Sequence, residues 1–231
     1  DDARGLHAGL KLGDVVQVDG VRYQVDEVGE GQVVGLRGQV PRDVAPNQLF
    51  VLVDLTEVNG RRQMSAEIDV QTGEVSAYVG TAVPYDQVVF QGSDHDAGVL
   101  DPAAKADHIE CASCGAPFDL LPQGDRVLTA SCPHCDAILD LSAGAARLIG
   151  QNQASAFLPF GPGAEGELLG HTWMVVGATA VLYDGRWPGS EYLLWNDAQG
   201  YLWLSESDGN WVASRSVAEG PLLSEIELKR R

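Results

Sequence analysis

Four cysteines constrain this 231-residue chain more than any other feature. Cys111, Cys114, Cys132 and Cys135 are all the cysteines it has, and they form C-x2-C, 17 intervening residues, C-x2-C. A C-x2-C turn brings two thiolates to one ion, and two such turns on facing hairpins complete a tetrahedral four-sulfur shell. Gly115, after the first pair, supplies the backbone freedom that lets N–H groups point at sulfur. Asp136 holds the matching place in the second pair, where that conformation is harder to reach. Phe118–Leu120 and Ile138–Leu141 are the strands expected to leave each knuckle. The pattern predicts a zinc ribbon over residues 108–141, with two disulfides or an iron site as the alternatives. Four protein ligands leave no open position, so a zinc ion here is structural. Thiolate ligation implies a reducing compartment, hence the cytoplasm or a cytoplasmic face of a membrane. With so little core, such a unit folds as it binds metal. His134, inside the second knuckle, reads as a solvated spacer because Cys135 completes the set.

Both flanks of the ribbon alternate as β-strands do. Val15–Val18, an Asp19-Gly20 turn and Val21–Val25 form a hairpin. Leu49–Val58 is a longer strand, Asn59-Gly60 a strong turn signal, and Arg61–Val70, Val75–Val79 and Gln87–Phe90 follow. Beyond the ribbon come Leu168–Gly177, Ala180–Tyr183, Glu191–Trp195, Tyr201–Ser205 and Trp211–Ser214, joined by polar turns. The expected fold is all-β, with two small β-barrel-like or meander domains flanking the ribbon. The domain reading is an N-terminal β-domain (1–91), a linker (92–107), the ribbon (108–141), a connector (142–162) and a Trp-rich β-domain (163–231). Within the connector, Ser142–Ala156 shows no clear period and reads as a short helix or a loop. Gly13, Gly20, Tyr23 and Val25 recur as Gly163, Gly170, Trp173 and Val175, each displaced by 150 positions. That offset suggests an internal duplication, with chance as the competitor in a chain holding 27 glycines.

Charge narrows the partners. The chain has 15 Lys and Arg against 33 Asp and Glu, a net −18. No segment is basic: the N-terminal part, ribbon with connector, and C-terminal part carry −10, −3 and −5. A polyanion of this kind argues against nucleic acid or an anionic membrane surface as a partner. No apolar run is long enough to span a bilayer, so no direct membrane insertion is expected. The chain starts at Asp1 without Met or a signal-peptide pattern, as a fragment or a processed product would.

Catalytic motifs are missing. His7, His95, His108, His134 and His171 fall in no metalloprotease or hydrolase pattern. Asp94-His95-Asp96 lies in the linker, His108 reads as an exposed strand-edge residue, and Gly29-Glu30-Gly31 lacks the strand-to-helix setting of a phosphate loop. The five tryptophans, Trp173, Trp187, Trp195, Trp203 and Trp211, cluster at the C-terminal end. Tyr192–Trp195 and Tyr201–Leu204 are apolar on both faces, so the second face is either covered by another segment of this chain or offered to a partner. Intramolecular cover is the preferred reading. Trp187, in the turn Arg186–Gly189, is the best candidate for an exposed recognition aromatic.

With the ribbon and the aromatic strands placed, residues 108–217 resemble the bacterial family called domain of unknown function 4178. The matching residues are the four cysteines, Gly166 to Gly170, Trp173, Val176-Gly177, Glu191-Tyr192-Leu193-Leu194, Trp203-Leu204 and Trp211. Residues 10–91 look like a more divergent second copy. The resemblance implies no established activity. It implies an accessory part of a membrane-linked or stress-related assembly, and longer relatives that continue past a point comparable to Leu228–Arg231.

The leading expectation is a non-enzymatic zinc-ribbon adaptor that recognises a protein, with a membrane protein among the candidates, through Trp187, Tyr192, Trp195, Tyr201, Trp203 and Trp211. One rival is a small-ligand receptor in which carboxylates such as Glu191 and Asp197 grip a cationic, polyamine-like ligand beside the Trp cluster. The other is a nucleic-acid-reading ribbon, which the charge disfavours.

Overall fold

A computed structural model describes residues 10–18, 20–92, 108–120, 127–152 and 158–217. The linker residues 93–107, with Asp94-His95-Asp96, lie outside the described residues, as do His7, Asp19 and Leu228–Arg231. Among the described residues there is no α-helix.

Strands β1 (Val15–Val18) and β2 (Val21–Val40) open the chain as a hairpin, and β3 (Leu49–Glu57), β4 (Arg62–Asp69) and β5 (Val75–Val83) continue it as a meander. A short β6 (Val89–Gln91) follows. The ribbon region contributes β7 (His108–Glu110), β8 (Pro117–Asp119), β9 (Thr129–Ser131), β10 (Ala137–Asp140) and β11 (Arg147–Gln151). Then β12 (Glu165–Leu168) and β13 (His171–Tyr183) form a second hairpin, followed by β14 (Trp187–Asn196), β15 (Gly200–Ser207) and β16 (Asn210–Ser216).

The all-β expectation holds, and the two β segments join. β13 pairs with β2 and β16 pairs with β5, both antiparallel, so β2–β5 and β13–β16 supply four strands each to one closed eight-stranded barrel. Closure removes every free edge along those eight strands. The sequence divides at the ribbon, but the sheet does not. The connector also differs from its reading, because residues 147–151 form β11 on the edge of β10. Its alternation spans too few residues, and a bulge interrupts its pairing at Ile138/Leu139.

The 150-residue offset is structural. Gly13 and Gly163 have φ of 86° and 87°, and Gly20 and Gly170 have 80° and 78°. Gly13 N donates to Val25 O and Gly163 N to Val175 O, each at 2.8 Å. The β1–β2 pair Val16↔Tyr23 matches the β12–β13 pair Gly166↔Trp173, and both long strands bulge after the valine, at Val25/Glu27 and Val175/Gly177. In each half the hairpin packs its aromatic, Tyr23 or Trp173, into a core on the outside of the barrel.

Three apolar layers result. Leu52, Tyr78, Leu193 and Trp203 point inward with Val33, Leu36 and Val181. Val51, Val53, Leu55 and Ile68 face outward under β1, while Tyr192, Leu194, Leu204 and Trp211 face outward under β12, Phe90 and Phe160. Period-two alternation sends neighbours to opposite layers, which explains strands apolar on both faces. Phe160, in the segment read as the connector, stacks on Phe90 at 4.9 Å and sits 4.0 Å from the Tyr192 ring.

The β2–β13 seam brings backbones close. A Cβ on Gly177 would lie 2.2 Å from Gln39 O, and one on Gly31 would meet the Phe50 ring at 2.2 Å. Backbone cannot yield as a side chain can. Gly177→Ala is therefore expected to cost roughly 1–3 kcal/mol, as overpacking does. Urea unfolding reads this as a lower midpoint, and an unchanged midpoint would contradict the seam.

Candidate binding cavity and metal centre

The two knuckles form as their sequences direct. Gly115 adopts φ 72° and Asp136 φ 57°, the left-handed turn that closes each C-x2-C. Gly115 N donates to Cys111 O and Asp136 N to Cys132 O, at 2.9 and 3.0 Å. Ser113 N and His134 N donate to Cys111 Sγ and Cys132 Sγ, each at 3.4 Å, which favours thiolate charge. All four thiols are free, and their sulfurs lie within 4.8 Å of one another. Cys111 and Cys135 Sγ are 3.7 Å apart, and Cys114 and Cys132 Sγ 3.9 Å. A tetrahedron with Zn–S bonds of about 2.3 Å has edges of about 3.8 Å, so the set is compatible with one tetrahedral ion. His134 Nε2 lies 3.3 Å from Pro117 O, bridging the knuckles and leaving the four-sulfur set intact. His108 is exposed, as expected, with Nδ1 2.5 Å from Asp119 Oδ1.

A second feature lies within the barrel. A cavity of about 530 Å³ is lined by inward positions of β3, β4, β5, β14, β15 and β16. Leu52, Asp54 and Thr56 on β3 and Gln63, Ser65 and Glu67 on β4 share one face of each strand and line it, and Leu55 and Met64 also reach its lining. Tyr78, Tyr183, Trp187 and Trp203 give aromatic surface, and Asp26, Glu27, Asp184 and Asp208 lie exposed at the mouth. Arg42 is the one basic residue on the described lining.

Arg42 sits between two carboxylates. One Nη reaches Glu67 Oε2 at 2.8 Å and Tyr78 Oη at 3.3 Å, and the other bonds Glu191 Oε2. Its guanidinium stacks 4.8 Å from the Trp203 ring centre. Glu191 and Glu67 keep only 7% and 14% of their side-chain exposure, so these charges are largely withdrawn from water. Burial opposes the Arg42 charge, but Glu191 and Glu67 outweigh it and hold the guanidinium charged. Glu67 is pushed up to about 8, by burial first and then by repulsion from Glu191, against the pull of Arg42. Asp54 rises to about 6 through burial, offset in part by its Ser65 hydrogen bond and reinforced by Glu27 and Asp26. Arg42 Nε and Gln63 Oε1 are buried with no hydrogen-bond partner, and of the two only Gln63 Oε1 is an acceptor that an N–H cation could use.

The six aromatics proposed as a recognition face are divided by the barrel. Tyr192 and Trp211 are buried in the outer layer and Trp203 in the inner one, so these three present no surface to a partner. Intramolecular cover by β12, Phe90 and Phe160 is the reason. Trp195 and Tyr201 are half-buried, their rings 4.8 Å apart and tilted by 56°. Trp187 is 55% exposed, but it begins β14 instead of lying in a turn, and it lines the cavity mouth. Of the two carboxylates named for a cation, Glu191 is in the cavity. Asp197 instead accepts the Trp195 indole N–H at 2.9 Å in a surface turn. Arg42, Glu67, Asp54 and Tyr78 went unnoticed in the sequence, since nothing local links positions so far apart. The available signal was a charged residue, Glu191, inside a strand apolar on both faces.

Glu67 and Asp54 hold protons more tightly folded than unfolded, so the stability they contribute is present below pH 4 and is lost as pH rises through about 6 and about 8. Urea midpoints between pH 5 and 9 are expected to fall, and Glu67→Gln to remove the upper part of that slope. An unaltered slope in the variant would mean Glu67 is ionised throughout. Comparison with protein-family models, curated proteins and solved structures returned no match to this chain, so its function is argued from residues and geometry.

Proposed function

We propose that the barrel is a receptor for a small organic cation, an amine or guanidine, and that the four cysteines hold a structural zinc ion. The observation that carries the reading is the buried Glu67–Arg42–Glu191 cluster at an aromatic-walled, otherwise acidic cavity of ligand size. The protein already seats one cation there between carboxylates and an indole face. The remaining carboxylates, Asp54 above all, are placed to draw a second.

Zinc is favoured by the all-thiolate set and its tetrahedral separations, and a closed shell gives it a structural role. Maintaining four free thiols fits a reducing compartment, the cytoplasm or its membrane face. No described helix is long and apolar enough to cross a membrane. The resemblance to domain of unknown function 4178 stays a proposal, resting on the ribbon and the Trp-rich strands. The adaptor reading keeps Trp187 as its exposed anchor, at the same mouth through which a ligand would enter.

Spermidine titration tests the receptor. A bound cation favours ionised Glu67 and Asp54, so binding is expected to release protons and tighten from pH 6 to pH 8. At 100 times Kd, spermidine would stabilise the fold by about 2.7 kcal/mol. Glu191→Gln is expected to abolish the shift. No thermal shift with millimolar spermidine or methylamine would count against the reading. For the metal, mass spectrometry of native protein is expected to find one zinc, lost in Cys111→Ser.

A further inference from the structure

We infer that metal occupancy of the four-cysteine site sets the seat of Arg42 in the cavity, with Thr129 as the positioning residue. The inference rests on the metal and cavity readings above. β2 ends inside the ribbon sheet: Gln39 pairs with Ala130 and Val40 with Thr129, and Leu128 N donates to Val40 O at 3.1 Å. Gly38 N donates to Ser131 Oγ at 2.9 Å, and Ser131 directly precedes Cys132. The buried Thr129 hydroxyl then holds the next turn of chain from both sides. It donates to Arg42 O at 3.0 Å and accepts from Val44 N at 3.1 Å. Both bonds flank the residue whose guanidinium lies between Glu67 and Glu191.

The consequence is directional. While metal fixes the second knuckle, β9 stays in register and Arg42 is held as a tethered cation. When metal is lost, β9 loses the knuckle that anchors it, the Thr129 clamp opens, and Arg42 leaves its seat. Glu67 and Glu191 then face each other with no cation between them, and an alkylguanidinium from solution takes the place of Arg42. Metal supply is thereby read out as cation binding in a cavity the metal does not touch.

Two measurements on the full chain test this. Arg42 guanidinium N–H resonances, which persist only while those protons are held, report the seat without any ligand. Methylguanidine titration reports whether it has been vacated. Thr129→Val keeps all four cysteines, and is expected to retain metal, broaden the Arg42 resonances and raise methylguanidine affinity about tenfold, the effect of two lost hydrogen bonds. Thr129→Ser, which restores the hydroxyl, is expected to behave as the native protein. Chelation should reproduce the Thr129→Val result while β3–β5 amides keep their exchange protection. Unchanged Arg42 resonances in Thr129→Val, or loss of protection throughout the barrel on chelation, would overturn the inference. If Arg42 responds as described but spermidine never binds the native protein, the coupling stands and the receptor reading fails.

Discussion

β2 is the strand on which the structure depends, because it hydrogen-bonds to four others. It takes β1 at its beginning, β3 along most of its length, β13 along its second half and β9 at its end. A barrel needs each half to find the other along two seams, and β2 forms one of them. The strand can do this because it bulges after Val25 and carries glycines where neighbouring backbones crowd. A Cβ on Gly38 would lie 2.3 Å from Val176 O, so the seam admits no side chain there. The ribbon is thus an extension of the barrel wall, built on the last residues of its longest strand.

Closing eight strands encloses more space than the aliphatic side chains of this barrel fill. At one end Val33, Leu36, Leu193 and Trp203 pack it. At the other, three carboxyl groups and a guanidinium occupy space that hydrophobic residues of similar volume would fill at equal or lower free energy. Taking Arg42 away leaves Glu67 and Glu191 buried with no cation between them, and breaking a buried pair in this way typically costs about 3–5 kcal/mol. A polar centre of this kind is therefore held by mutual dependence: each member is tolerable only in the presence of the others. Stability alone does not call for it, which is why the proposed reading gives the cluster a part in recognising charge.

The sequence showed what is local. Asn59-Gly60 and Gln71–Glu74 fall between strands, and Asp197–Gly200 and Ser207–Asn210 span the turns into and out of β15, as their turn chemistry directs. The cysteine spacing and Gly115 located both knuckles for the same reason. The second half of β2 was illegible because Gly29, Gly31, Gly35 and Gly38 erase the alternation that marks a strand. Gly31 answers to Phe50, and Gly38 to Val176 and Pro162 across the closed seam. The cavity was illegible in the same way. Arg42 follows the end of β2, Glu67 lies on β4 and Glu191 on β14, so their meeting is a property of closure and of no segment.

The matched halves explain why closure is available at all. β2–β5 alone is a meander with two open edges, and so is β13–β16, each with an outer face covered by its own hairpin. Open edges associate, and two like halves meeting antiparallel satisfy both at once, as β2–β13 and β5–β16 do. Once joined, the halves are free to differ inside. The N-terminal half supplies Arg42, Asp54, Glu67 and Tyr78 to the cavity, and the C-terminal half supplies Glu191, Trp187 and Trp203. The ribbon lies between them in sequence, so the chain passes through the four-cysteine segment before it returns to close the barrel. The Arg42 cluster forms only when Glu191 arrives from the second half, which makes the charged centre a direct measure of whether the two halves have met.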